Sequence, residues 1–140
     1  MSQHWDPAPD SAEIEAATSR LLDTARTLSD ADVLAPSGLP GWSRGHVLSH
    51  IARNADSLVN LLSWAATGVE IPQYPSREVR DADIEAGASR PIAEHLRDLE
   101  DSHQRFADAV ATVPSSNWGN DMRWMSGETR PASKILDARL

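Results

Sequence analysis

From Gly41 to Ala66 the chain reads GWSRGHVLSHIARNADSLVNLLSWAA, the longest stretch in which apolar and polar positions alternate with a clear period. Val47, Leu48, Ile51, Ala55, Leu58, Val59, Leu62 and Ala65 recur at three- and four-residue intervals, as one face of an α-helix requires. Ser43 stands where a hydroxyl can accept a free amide of the first turn, and Gly68, followed by Pro72 and Pro75, ends the pattern. At about 100° per residue the stripe centres near Ile51. His50 and Asn54 lie on its flank, and His46 lies further round toward solvent.

The same reading organises the rest of the chain. Residues 1–9 hold two prolines and little to bury, and form a flexible N-terminal arm; Asp10 or Ser11 then caps a helix to Leu28 with Ile14, Ala17, Leu21, Leu22, Ala25 and Leu28 inward. Ser29 to Trp42, punctuated by Pro36, Gly38, Pro40 and Gly41, is a connection with a bend and not a strand. Ser76 opens a short polar helix with Val79, Ile84 and Ala88 inward and Gly87 as its stop. Pro91 suits the first turn of a third long helix, along which Ile92, Leu96, Leu99, Phe106, Ala109, Val110 and Val113 run to Pro114. Ser115 to Thr129, with two tryptophans among turn formers, predicts a loop or short hairpin folded onto the helices. Pro131, Ala132 and Ser133 open a fourth helical pattern, PASKILDARL, which is marginal at ten residues because helix nucleation is costly. With no convincing period-2 run, the pattern predicts an all-α bundle of antiparallel neighbours whose fourth helix is truncated: one domain over 10–140, incomplete at its C-terminus.

Composition narrows the chemistry. The chain has no cysteine, which excludes disulfides, thiolate metal ligands and a protein-borne thiol nucleophile, so any thiol chemistry must use a thiol brought by a ligand. A net charge of -8, from 13 Lys+Arg against 21 Asp+Glu, opposes a nucleic-acid partner. No signal peptide and no membrane-length apolar run is visible; a soluble, cytoplasmic protein without a membrane partner is expected.

His46 and His50 have the spacing that lets two imidazoles on one helix face share a metal ion, but the helical projection turns only His50 inward. His95 and His103, eight residues apart among Glu94, Asp98, Glu100 and Asp101, read as part of a solvated acidic face; His4 is a weaker candidate. Trp42, just ahead of the cap, is placed to pack back on Val47 as a hydrophobic staple. Trp64, Trp118 and Trp124 read as core and loop anchors.

Gly41-Trp42-Ser43-Arg44-Gly45-His46-Val47, then His50-Ile51-Ala52-Arg53-Asn54-Ala55, Asn60-Leu61, Trp64-Ala65, Thr67-Gly68 and Pro72-Gln73-Tyr74 resemble the mycothiol-dependent maleylpyruvate isomerases and their relatives among the DinB-like four-helix bundles. Arg77 to Ser89 and the Pro131-Ala132-Ser133 opening extend the likeness over nearly the whole chain. The resemblance implies zinc or another divalent metal held by a histidine of the second long helix, which falls on His50, with His46 and Asn54 as supporting residues, and by a glutamate and a histidine of the fourth helix. Those two positions fall a few residues beyond the match to Leu140. It also implies mycothiol as cofactor, its thiol adding to an electrophilic substrate in a cis–trans isomerisation or thiol transfer. The alternative from another class is a non-catalytic helical bundle that binds a protein partner or forms a homo-oligomer through the shortened fourth helix, since an uncovered apolar stripe favours association.

Overall fold

The computed structural model describes residues 5–140, so Met1 to His4, the first part of the expected arm, lie outside the described residues. Five α-helices carry the fold: α1 (Ala8–Ala25), α2 (Asp30–Leu34), α3 (Arg44–Thr67), α4 (Arg77–Ala88) and α5 (Ile92–Thr112). A 3₁₀ turn at Ser115–Asn117, an antiparallel pair β1 (Asp121–Arg123) and β2 (Thr129–Pro131), and a 3₁₀ helix at Ala132–Arg139 complete it. Among these described residues no helix is long and apolar enough to cross a membrane.

α3 is the central element, packed against α5, α4 and the C-terminal 3₁₀ helix. Its start is a capping box in which Ser43 Oγ accepts from the His46 amide (3.2 Å) and His46 Nδ1 accepts from the Ser43 amide (3.1 Å). Histidine thus fills the place usually taken by glutamate or glutamine. Its end is Gly68 at φ 78°, whose amide donates to the Trp64 carbonyl at 2.7 Å. The buried face runs through Leu48, Ala52, Ala55, Leu58, Leu61, Leu62 and Ala65. It is rotated from the predicted centre, so that Ile51 is only half-buried. The reason is tertiary: small residues at Gly45 and Ser49 let α4 approach closely, and the periodicity of large side chains does not register that face.

α1 begins two residues ahead of the expected caps, after Pro7, and the stretch read as a loose arm is anchored by Trp5, whose ring meets Trp118 edge-on at 5.0 Å. The Ser29 to Trp42 link contains the short helix α2, closed by a capping box between Ser29 and Asp32. Five residues are too few for a periodic signal; Val33, fully buried, is what the turn serves. Val79 is exposed, not inward, whereas Ile84 and Ala88 of α4 are buried as expected. Of the two alternatives for the segment after α5, a loop or a short hairpin, the hairpin forms and extends to Pro131, tying Trp118 and Met122 into one core with Leu58, Phe106, Ile135 and Leu136. The predicted fourth helix is 3₁₀ and not α; its first amides donate to the Asn120 and Trp118 carbonyls, so the hairpin dictates its entry.

The acidic-face reading of His95 and His103 is overturned: they are 2% and 9% exposed. Both flank Leu99 on the stripe that buries Ser102 and Phe106; Glu94, Glu100 and Asp101 are exposed, whereas Asp98 turns toward α3 and pairs with Arg53. Burial holds the His95 imidazole below its ordinary 6.5, against the Ala88 carbonyl that favours its charged form. The unfolded chain therefore binds this proton first, and the stability of neutral, buried His95 is present above about pH 6.5 and lost as pH falls below it. Urea midpoints at pH 7.5 and 5.5 are expected to show lower stability at pH 5.5, with a smaller drop in His95→Asn. An equal drop in the variant would refute the assignment.

Candidate functional site

His50 and Asn54 project from α3 into a cleft of about 300 Å³ closed by Thr18 and Leu21 of α1 and by Arg139 of the 3₁₀ helix. The imidazole is half-buried and tilted against the Trp42 indole, the centroids 5.5 Å apart, and its Nδ1 is buried without a hydrogen-bond partner. Burial first, and then the charges of Arg80 and Arg139, push its pKa down. His50 is thus neutral at pH 7, with a lone pair for a ligand or proton.

Arg139 donates through Nη1 to the Ile51 carbonyl (3.1 Å) and to Asn54 Oδ1 (2.9 Å). Asn54 is therefore engaged by the guanidinium, and its role is to anchor Arg139 beside the cleft. Burial lowers the Arg139 pKa while Asp56 raises it.

The His46–His50 pair does not form one site. His46 Nε2 lies 2.6 Å from Glu85 Oε2, its Nδ1 closes the α3 cap, and its ring stacks on Trp42 at 6.2 Å. With Nδ1 accepting from the Ser43 amide, Nε2 carries the hydrogen and donates to Glu85. Trp42 consequently lies across the two imidazoles, a contact the sequence did not suggest. Thr18 and Arg139 were not singled out in the sequence. Thr18 had a signal, as a polar residue in the apolar stripe of Ile14, Leu21 and Ala25; Arg139 had none.

The site is thus a half-buried, neutral imidazole in a cleft between α1 and α3 of a mostly helical fold. The chain belongs to the mycothiol maleylpyruvate isomerase N-terminal domain family, whose model matches residues 14–140. A crystal structure of a mycothiol-dependent maleylpyruvate isomerase superposes with a TM-score of 0.91 at 30% identity over 96% of this chain and 56% of that one. A histidine-to-alanine mutant of such an isomerase gives 0.90 at 29% identity over the same shares. The chain therefore spans little more than half the length of these solved relatives. No curated protein matches.

Proposed function

We propose that this chain is the His50-bearing domain of a mycothiol-dependent maleylpyruvate isomerase-like enzyme, acting by thiol-assisted cis–trans isomerisation or thiol transfer. The observation that carries the reading is the half-buried, neutral imidazole of His50 lining the α1–α3 cleft, within a chain of this family. Bound mycothiol would supply the sulfur nucleophile that adds to the electrophilic double bond and leaves after rotation. The chain's own groups then bind and orient: Arg139 provides fixed positive charge for a carboxylate-bearing substrate, and Trp42 and Leu21 exclude water.

A metal is the harder fit. A catalytic zinc normally takes three protein ligands, yet among the described residues no three His, Cys, Asp or Glu gather. Of the cleft residues only His50 is a usual zinc ligand, Asn54 Oδ1 being taken by Arg139, whose positive charge stands beside His50. The residues present do not hold zinc or another divalent ion by themselves, and we assign His50 as the one ligand this chain contributes.

Two measurements test the proposal. Protein purified from its native cells is expected to isomerise maleylpyruvate only when mycothiol is added; equal rates with and without the thiol would overturn the reading. Elemental analysis of the 140-residue chain is expected to give well below one zinc per chain, and a stoichiometric value would overturn the one-ligand assignment.

A further inference from the structure

We propose that Thr18, His103 and Glu15 form a relay carrying a proton between the His50 cleft and solvent, with the Thr18 hydroxyl as its terminus in the cleft. The inference rests on the thiol chemistry proposed above. Thr18 lines the cleft, and its Oγ1 lies 3.4 Å from Nδ1 of His103. Nε2 of the same ring lies 2.6 Å from Oε2 of Glu15, whose side chain is 69% exposed while that of His103 is 11% exposed. One connected path thus leads from the cleft, through a buried ring, to a solvent-facing carboxylate.

The partners fix the direction of each bond. An ionised carboxylate can only accept, so Nε2 of His103 carries the hydrogen and donates to Glu15. In the resting, neutral form of the ring that the relay requires, Nδ1 presents its lone pair and the Thr18 hydroxyl donates to it. The lone pairs of Thr18 Oγ1 remain for a donor in the cleft. This is the order of hydroxyl, imidazole and carboxylate that activates a nucleophile in hydrolases, except that threonine here passes on the proton of a bound thiol. The hydrophobic stripes do not require this arrangement, since valine at 18 and leucine at 103 would fill the same space between α1 and α5.

In the step, Oγ1 of Thr18 takes the thiol proton as its own hydroxyl proton moves to Nδ1. Negative charge stays on sulfur, and the imidazolium is compensated by Glu15. The reverse transfer restores all groups once sulfur has left the product, so protons and charge balance over a turnover. Thr18 is the group that touches the thiol; His103 and Glu15 act through it.

Two experiments test the relay. In ¹⁵N NMR of the 140-residue chain, His103 is expected as the Nε2-protonated tautomer, with an Nδ1 resonance that shifts in Thr18→Val and stays in Thr18→Ser. An Nδ1-protonated ring would overturn the relay. With variants placed at the native gene locus and assayed with mycothiol and maleylpyruvate, Thr18→Val is expected to lower kcat about 100-fold, the lower range for lost proton transfer. KM for mycothiol should stay within about twofold of wild type, as for a group acting in the transition state, and Thr18→Ser should retain most of kcat. Wild-type turnover with an equally active Thr18→Val overturns the relay alone. Wild-type protein without mycothiol-dependent turnover overturns the parent reading and the relay's role with it.

Discussion

Alanine at His50 is expected to reduce mycothiol-dependent turnover to background while leaving the folded domain nearly as stable, and alanine at His46 is expected to do the opposite. His50 makes no hydrogen bond through Nδ1, and its burial disfavours the charged ring. Truncation therefore breaks no hydrogen bond at Nδ1 and loses the contact with Trp42 at the edge of a cleft, a cost of about 1 kcal/mol. On activity, under the proposed role of His50 as the one metal ligand of this chain, its loss is expected to exceed the about 10–100-fold that residues merely supporting a ligand are worth. His46 has the reverse balance. Its ring accepts the Ser43 amide and donates to Glu85, so His46→Ala unmakes half of a capping box, at about 0.5–2 kcal/mol, with turnover changed only a few-fold. Thermal melts and turnover of both variants decide the matter. Activity lost in His46→Ala and kept in His50→Ala would reverse the assignment of the two histidines.

Gly45→Ala should be the most damaging single-methyl change in the domain. Helix propensity favours alanine over glycine by roughly 1 kcal/mol, yet a Cβ at position 45 would stand 1.8 Å from the Ala88 carbonyl oxygen and 2.8 Å from Val33 Cγ1. The nearest obstacle is backbone, so it cannot rotate away. That carbonyl also lies 3.3 Å from His95 Nε2, so displacing the end of α4 disturbs a buried polar pair as well. Overpacking of this kind costs about 1–3 kcal/mol and occasionally more. A net loss of about 3 kcal/mol, or a Tm fall on the order of 10 °C for a domain of this size, is expected by calorimetry. Gly87→Ala provides the comparison: its Cβ would meet Ser49 Oγ at 2.7 Å, the end of a side chain that can turn, and the fall should be much smaller. A Gly45→Ala Tm within about 2 °C of wild type would refute the close α3–α4 contact.

Both variants test features of different legibility. His50 stood out from sequence because an imidazole on the flank of an apolar stripe is visible in a helical projection. Gly45 did not, because a glycine near a helix start reads equally as a weak cap or as flexible chain; only the arrival of Ala88 from α4 shows why no side chain stands there. Asn54 was found as a neighbour of His50 without its partner, Arg139. His95 and His103 were misread because Glu94, Glu100 and Asp101 lie on the exposed side of α5 while Asp98 is taken up by Arg53 of α3, and burial on one face of a helix is insensitive to the polarity of the others.

The chain by itself determined its helical class, the extents of α3, α4 and α5 to within a few residues, the hairpin after α5, and the inward turn of His50. These depend on short-range periodicity and caps, which a linear sequence carries in full. Tertiary structure alone decided that His46 serves the cap and Glu85, that Trp42 lies across both imidazoles, that the last segment is 3₁₀, and that Thr18, His103 and Glu15 meet between α1 and α5. Each of those is a contact between residues distant in sequence or a choice imposed by a neighbouring element, and it exists only once the helices have packed.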